Sequence, residues 1–227
     1  FFSIFFIYNL ILFRNRDKNF FYEDYNLLLY VVVLVLVFLL FFGYNNDFIN
    51  IIFSIFSSIS NIGISLNNEF NDLQFIFLLL VIIGGSFFST SSGLRFIKIY
   101  SLIKFSLNQI LSFSKPRNIF MNRLLFSKKN FEINEINKYF LSIIIFIISL
   151  LVLASLVAFS GIDFERCLKI SILTLMNTVS SSVYGINDFD FQNINFFTKY
   201  SLILFMIIGR IELLTLLLII KKYLFKN

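Results

Sequence analysis

The 227-residue chain is 58% hydrophobic and only 14% charged, with a formal net charge of +6, against about 25% charged residues in an ordinary soluble domain. It contains no histidine and a single cysteine, Cys167, so an intrachain disulfide is excluded and the commonest metal ligand and general base is missing. The positive charge lies beside apolar runs, so it reports membrane topology and gives no case for nucleic-acid binding.

Residues 1–13 form an apolar stub, read as the end of a transmembrane helix that runs inward, and more of the protein is expected upstream of Phe1. A secretory signal does not fit, because no basic stretch precedes the apolar run. Residues 14–24, with Arg14, Arg16 and Lys18, are a cytoplasmic loop. Tyr25 to Phe42 then goes outward. Nothing ionisable except tyrosine lies between Asp24 and Asp47, and about 20 apolar residues suffice for a helical crossing.

Phe48 to Phe56 is apolar but too short to span, and it leads into Ser57, Ser58, Ile59, Ser60, Asn61, Ile62 and Gly63. A run of this length reads as a segment that dips into the bilayer and returns. The alternative is a polar external loop over Ser57 to Ser65. Leu73 to Ile83 heads inward and meets a break, Gly84-Gly85-Ser86-Phe87-Phe88-Ser89-Thr90-Ser91-Ser92-Gly93, after which Leu94 to Phe113 reads as a basic helix. Residues 25–113 form the first unit, and the basic stretch 114–138, with the only proline, is a cytoplasmic linker.

Residues 139–227 repeat the order and end in a basic cytoplasmic tail. Tyr139 to Phe159 goes outward, Ile170 to Met176 is short and ends in Asn177-Thr178-Val179-Ser180, and Tyr200 to Ile220 returns. Asp47-Phe48 precedes Asn61 by fourteen positions, as Asp163-Phe164 precedes Asn177. The expected fold is therefore an all-α polytopic membrane protein with two helix, re-entrant loop, helix repeats. Irregular backbone is tolerated at membrane depth only where it is buried in protein or lines a watery cavity. The carbonyl end of a half-helix is partly negative, and such carbonyls can replace the hydration shell of a cation. These properties favour ion conduction. A membrane-embedded enzyme fits poorly, without histidine or a carboxylate pair inside a span, whereas a structural membrane protein without transport stays open.

The last span carries Gly209-Arg210-Ile211-Glu212. An arginine at bilayer depth costs at least ~2.5 kcal/mol and normally faces a cavity or partner. A local pairing of Arg210 with Glu212 is the alternative, disfavoured because residues two apart on a helix do not face each other.

The break at Gly84, Gly85, Ser86, Ser89, Thr90, Gly93 and Arg95, together with Gly209-Arg210-Ile211-Glu212-Leu213-Leu214-Thr215, resembles the membrane pore subunit of bacterial Trk-type potassium transporters, in the Trk/Ktr/HKT superfamily. The resemblance covers essentially the whole chain, as the C-terminal half of that family. It implies a pseudo-fourfold pore in which this chain supplies the third and fourth repeats. Backbone around Ser60, Asn61, Ile62 and Gly63, and around Asn177, Thr178, Val179 and Ser180, would form two filter walls for K+, the transported ion, with no covalently bound cofactor. Gly84 to Gly93 would be an intramembrane gating loop and Arg210 a barrier beside it. The resemblance further implies a multi-pass protein of the inner (plasma) membrane, a homodimer, and a cytosolic nucleotide-sensing partner on the linker and tail. The family's fourth filter reads Asn-x-Gly-Pro-Gly, whereas this chain has Asn177-Thr178-Val179-Ser180-Ser181. A sodium-preferring or non-conducting homologue is therefore the alternative.

Overall fold

The computed structural model describes residues 2–11, 22–42, 48–64, 73–86, 89, 92–113, 133–179, 182–186 and 194–210. They are mostly helical. In chain order the helices are α1 (Ile4–Ile11), α2 (Tyr22–Phe42), α3 (Phe48–Ile59), α4 (Gln74–Ile82), α5 (Phe96–Ser112), α6 (Ile133–Ala158), α7 (Phe164–Met176) and α8 (Phe196–Arg210). α1 begins at Ser3, whose Oγ accepts the Phe6 N–H at 3.1 Å. Ser3 in turn donates its N–H and Oγ–H to the buried Asp24 carboxylate at 3.0 and 2.7 Å, which ties the start of α1 to the start of α2.

Helix length sorts the elements. At 1.5 Å per residue, α2 (21 residues) is about 32 Å long and α6 (26 residues) about 39 Å, enough to cross a hydrocarbon core of about 30 Å. Only 28% of the apolar stretch of either helix is buried within the protein. Leu36, Leu40 and Phe41 of α2, and Leu141, Ile147, Ile148 and Leu151 of α6, stand exposed. A soluble protein does not offer water two helices clothed in leucine, isoleucine and valine, so lipid is the solvent of this surface. α3 (12 residues) and α7 (13 residues) reach only about 18 and 20 Å, roughly two thirds of the hydrocarbon core.

Each short helix is held by two flanking ones: α3 packs on α2 and α4, and α7 on α6 and α8. The two units meet where α4 packs on α7 and α5 on α6. Ile55, Phe77, Val81, Leu153, Val157, Leu175 and Met176 form the shared core. Polar side chains are buried beside them, among them Ser54, Ser58, Asn61, Ser171, Thr174 and Thr178. The interior thus mixes an apolar core with buried polar side chains, while the outer faces of α2 and α6 are apolar.

α4 and α5 are separated by the break. α4 stops at Ile82, and Ile83–Gly84 (β1) pairs in parallel with Leu94–Arg95 (β2), Ile83 opposite Leu94 and Gly84 opposite Arg95. The chain thus leaves the helix after Ile82 and comes back alongside itself at Leu94 before α5 begins. The closure is tight: a Cβ at Gly84 would stand 2.8 Å from the Ser92 carbonyl oxygen and 2.9 Å from that of Leu94. α5 starts at Phe96, two residues after the point expected from sequence, and its first N–H reaches back to the Gly85 carbonyl at 3.4 Å.

Candidate functional site

α3 and α7 end in the same way. Asn61 (φ +58°) and Asn177 (φ +53°) are the only non-glycine residues of positive φ among the described residues. Asparagine tolerates this left-handed conformation better than other side chains, and it stops a helix there. The Asn61 N–H donates to Ser58 O at 3.2 Å and the Ile62 N–H to Ser57 O at 3.0 Å; the Asn177 N–H donates to Thr174 O at 3.1 Å and the Thr178 N–H to Leu173 O at 2.9 Å. In both units the bonds run three and five residues back, the pattern of a Schellman cap. The fourteen-residue spacing seen in sequence therefore measures a helix that ends on a left-handed asparagine.

The two turns touch. The Val179 N–H donates to Ile62 O at 3.3 Å, so this carbonyl is shared between the units. Gly63 (φ +79°) lies against that contact, and a Cβ there would overlap the Val179 carbonyl oxygen and stand 2.8 Å from Thr178 Cγ2. Ser60 stays on its own helix, its Oγ donating to Phe56 O at 2.7 Å, and Ile62 is exposed.

Both asparagines also reach the break. Asn61 Nδ2 donates to Ser92 O at 3.1 Å, and Asn177 Nδ2 to Ser92 Oγ at 3.2 Å and to Met206 O of α8 at 3.0 Å. Ser92 thus joins the two turns to residues 84–93. Gly84, Gly85 and Ser86 are buried in that segment, and Ser89 closes a small turn onto Ser86 O. Gly93 lies beside Met176, the last residue of α7. Thr90 and Ser180, two further positions singled out in sequence, lie outside the described residues.

Gly209 packs on the end of α7 so closely that a Cβ would overlap the Leu175 carbonyl oxygen. Next to it, Arg210 lines an open groove of about 440 Å³ with Thr174, Asn177, Thr178, Val179 and Met206. Glu212, its possible neighbour on the helix, lies outside the described residues. Arg210 and the second asparagine turn therefore share one groove, and Asn177 bonds both to Met206 of that groove and to Ser92 of the break.

Three features escape sequence inspection. Ser92 reads as one more serine in a serine-rich break. Lys98, grouped by sequence with the cytoplasmic cations, is 9% exposed, and its Nζ donates to Ser142 Oγ of α6 at 3.0 Å. Tyr184, in the turn Ser182–Tyr184, is fully buried between the units. No periodicity marks any of the three, because each depends on contact between units.

The fold and this arrangement of broken and shortened helices define a helical integral membrane protein. No protein-family model matches the chain, and no curated protein sequence does. Among solved structures the chain is similar to the potassium transporter TrkH from Vibrio parahaemolyticus, with a TM-score of 0.69 at 21% sequence identity. The match covers 89% of this chain and 44% of that one, so this chain spans less than half the length of that transporter. The likeness is one of fold.

Proposed function

We propose that this chain builds part of a pore for potassium or a similar monovalent cation, with the asparagine turns at its narrowest part. The observation that carries the reading is the pair of matched left-handed turns, each at the carbonyl end of a helix too short to cross, meeting backbone to backbone. Among the described residues, four of the seven buried side-chain oxygens without a hydrogen-bond partner are Ser57 Oγ, Asn61 Oδ1, Ser86 Oγ and Thr178 Oγ1, and buried oxygens of this kind call for water or an ion. All four sit in or near the turns and the break. The fold likeness to a potassium transporter supports the same reading. In it, backbone of residues 60–63 and 177–180 strips the ion of water, residues 84–93 form a gate held by Ser92, and Arg210 places a positive barrier in the groove. Homodimer formation and docking of a nucleotide-sensing ring on the linker 114–138 and the tail, at the inner (plasma) membrane, belong to this reading too.

One observation favours relaxed selectivity. Val179 stands two residues after Asn177, as Gly63 does after Asn61, yet only Gly63 adopts positive φ. A β-branched residue avoids that region, so the two walls differ in backbone shape at equivalent positions, and sodium preference or lost conduction is the second reading. The test is growth at low potassium of cells stripped of their own uptake systems and expressing the full-length protein. Rescue is expected. Failure of a well-expressed protein to rescue, with no uptake of either ion, would favour a structural role. Arg210→Ala is expected to raise flux several-fold, and unchanged flux would remove Arg210 from the barrier role.

A further inference from the structure

Tyr184 is the largest fully buried side chain among the described residues, and the pore reading leaves it without a task. It belongs to the second unit, seven residues after Asn177, yet its Oη donates to Ser58 Oγ of the first unit at 3.3 Å, where Ser58 is itself fully buried. Ser58 sits in the cap of α3. Its carbonyl accepts the Asn61 N–H at 3.2 Å, while the adjoining Ser57 carbonyl accepts those of Ile62 at 3.0 Å and Gly63 at 3.4 Å. Asn61, Ile62 and Gly63 of the first wall thus hang from Ser57 and Ser58, and Tyr184 holds Ser58 from behind.

The hold is anchored at its other end. The Ser182–Tyr184 turn packs on α4, and the next residue, Gly185, lies so close to the Gln74 side chain at the start of α4 that a Cβ would overlap it. The second unit has a different arrangement at the equivalent place. Thr174, three residues before Asn177 as Ser58 is before Asn61, bonds back into its own helix, to Ile170 O at 2.7 Å, and lines the open groove. An oxygen separation of 3.3 Å is long for two hydroxyls. Burial of the ring seats the side chain in the core, and the hydroxyl is its link to Ser58.

We infer that Tyr184 is a positioning residue that braces the Asn61-Ile62-Gly63 turn from the neighbouring unit and thereby sets the ion preference of that wall. The ion-preference part rests on the pore reading, whereas the bracing part does not. Two measurements on the full chain in nanodiscs and proteoliposomes separate them. Amide hydrogen exchange in peptides covering residues 57–63 is expected to rise about three- to tenfold in Tyr184→Phe, as follows from losing one hydrogen bond, with residues 173–179 unchanged. Ser58→Ala removes the acceptor with a smaller change in volume and is expected to match it, the double variant being no worse than either. The ratio of K+ to Na+ apparent KM is expected to move toward unity by a similar factor, with maximal uptake within about twofold.

Unchanged exchange in both single variants would overturn the brace. Altered exchange with an unmoved KM ratio would reduce Tyr184 to a structural contact and overturn its role in ion preference. A wild-type protein that moves neither ion would sink the pore reading and with it the ion-preference part. The exchange result would then decide the brace alone.

Discussion

Replacing Gly63 by alanine tests the contact between the two turns most directly, because its cost divides into two parts with separate controls. The first is conformational: Gly63 has φ +79°, and an L-residue held there costs about 1–2 kcal/mol. The second is steric. The new Cβ would overlap the Val179 carbonyl oxygen and stand 3.0 Å from Val179 N. Both are backbone atoms, so no side-chain rotation relieves the clash. The turns must separate and lose the Val179 N–H to Ile62 O bond of 3.3 Å, at a further cost of about 0.5–1.5 kcal/mol plus that of a stranded donor. Before the stranded donor is counted, the two together come to about 1.5–3.5 kcal/mol. Gly161 is the internal control, since it has φ +77° but nothing within 4 Å of a built Cβ, so Gly161→Ala carries only the conformational part. For a chain of this size about 1 kcal/mol lowers Tm by about 2–4 °C. Thermal unfolding in detergent is therefore expected to place Gly63→Ala at least ~2–4 °C below Gly161→Ala. Uptake in proteoliposomes should fall with it for Gly63→Ala and stay at the wild-type level for Gly161→Ala. Equal Tm losses in the two variants would refute the contact between the turns.

Three further outcomes are expected. Ser142→Ala takes a hydrogen-bond acceptor from the buried Lys98 ammonium and should cost about 1.5–3 kcal/mol, whereas Ser155→Ala, at an exposed serine bonded only to its own helix, should cost under about 0.5 kcal/mol; thermal unfolding of both compares them. Asn177→Gly keeps the left-handed turn but loses the amide bonds to Ser92 and Met206, so it should be milder than Asn177→Ala, which also meets the positive φ; a reversed order in unfolding temperature would remove φ from the account of the cap. Val179→Gly frees the second wall to take the backbone shape of the first and should shift the K+ to Na+ uptake ratio toward potassium, measured by tracer competition.

Much of the fold could be read from residue types. The uncharged stretches behind α2 and α6 report membrane helices because a hydrocarbon solvent tolerates little else. That two short helices stop at Asn61 and Asn177 could be read as well, but not their lengths: α3 runs on through Ser57 and Ser58 to Ile59, and α7 begins at Phe164, six residues before the apolar run. The site was only half legible. Asn61 and Asn177 stand out by spacing, and Gly84 and Gly93 bracket the break, but nothing in either segment announces that both asparagines donate to Ser92. The two bonds join residues 31 and 85 positions apart, beyond the reach of any local pattern. Lys98 shows another limit of local reading. Charge alone groups it with the basic residues around it, and only the packing of α5 on α6 shows that it is buried and bonded to Ser142.

Sequence alone therefore determined which solvent the chain meets, which helices are long enough to cross, and where the backbone must leave the helix. Those are local consequences of side-chain polarity and backbone dihedral preference, and they need no partner. Tertiary structure decided how the two units bear on each other: the Val179 to Ile62 bond, the shared Ser92, and the hold of Tyr184 on Ser58. These depend on the relative placement of distant segments, which short-range packing and hydrogen-bond geometry settle only once the helices have docked.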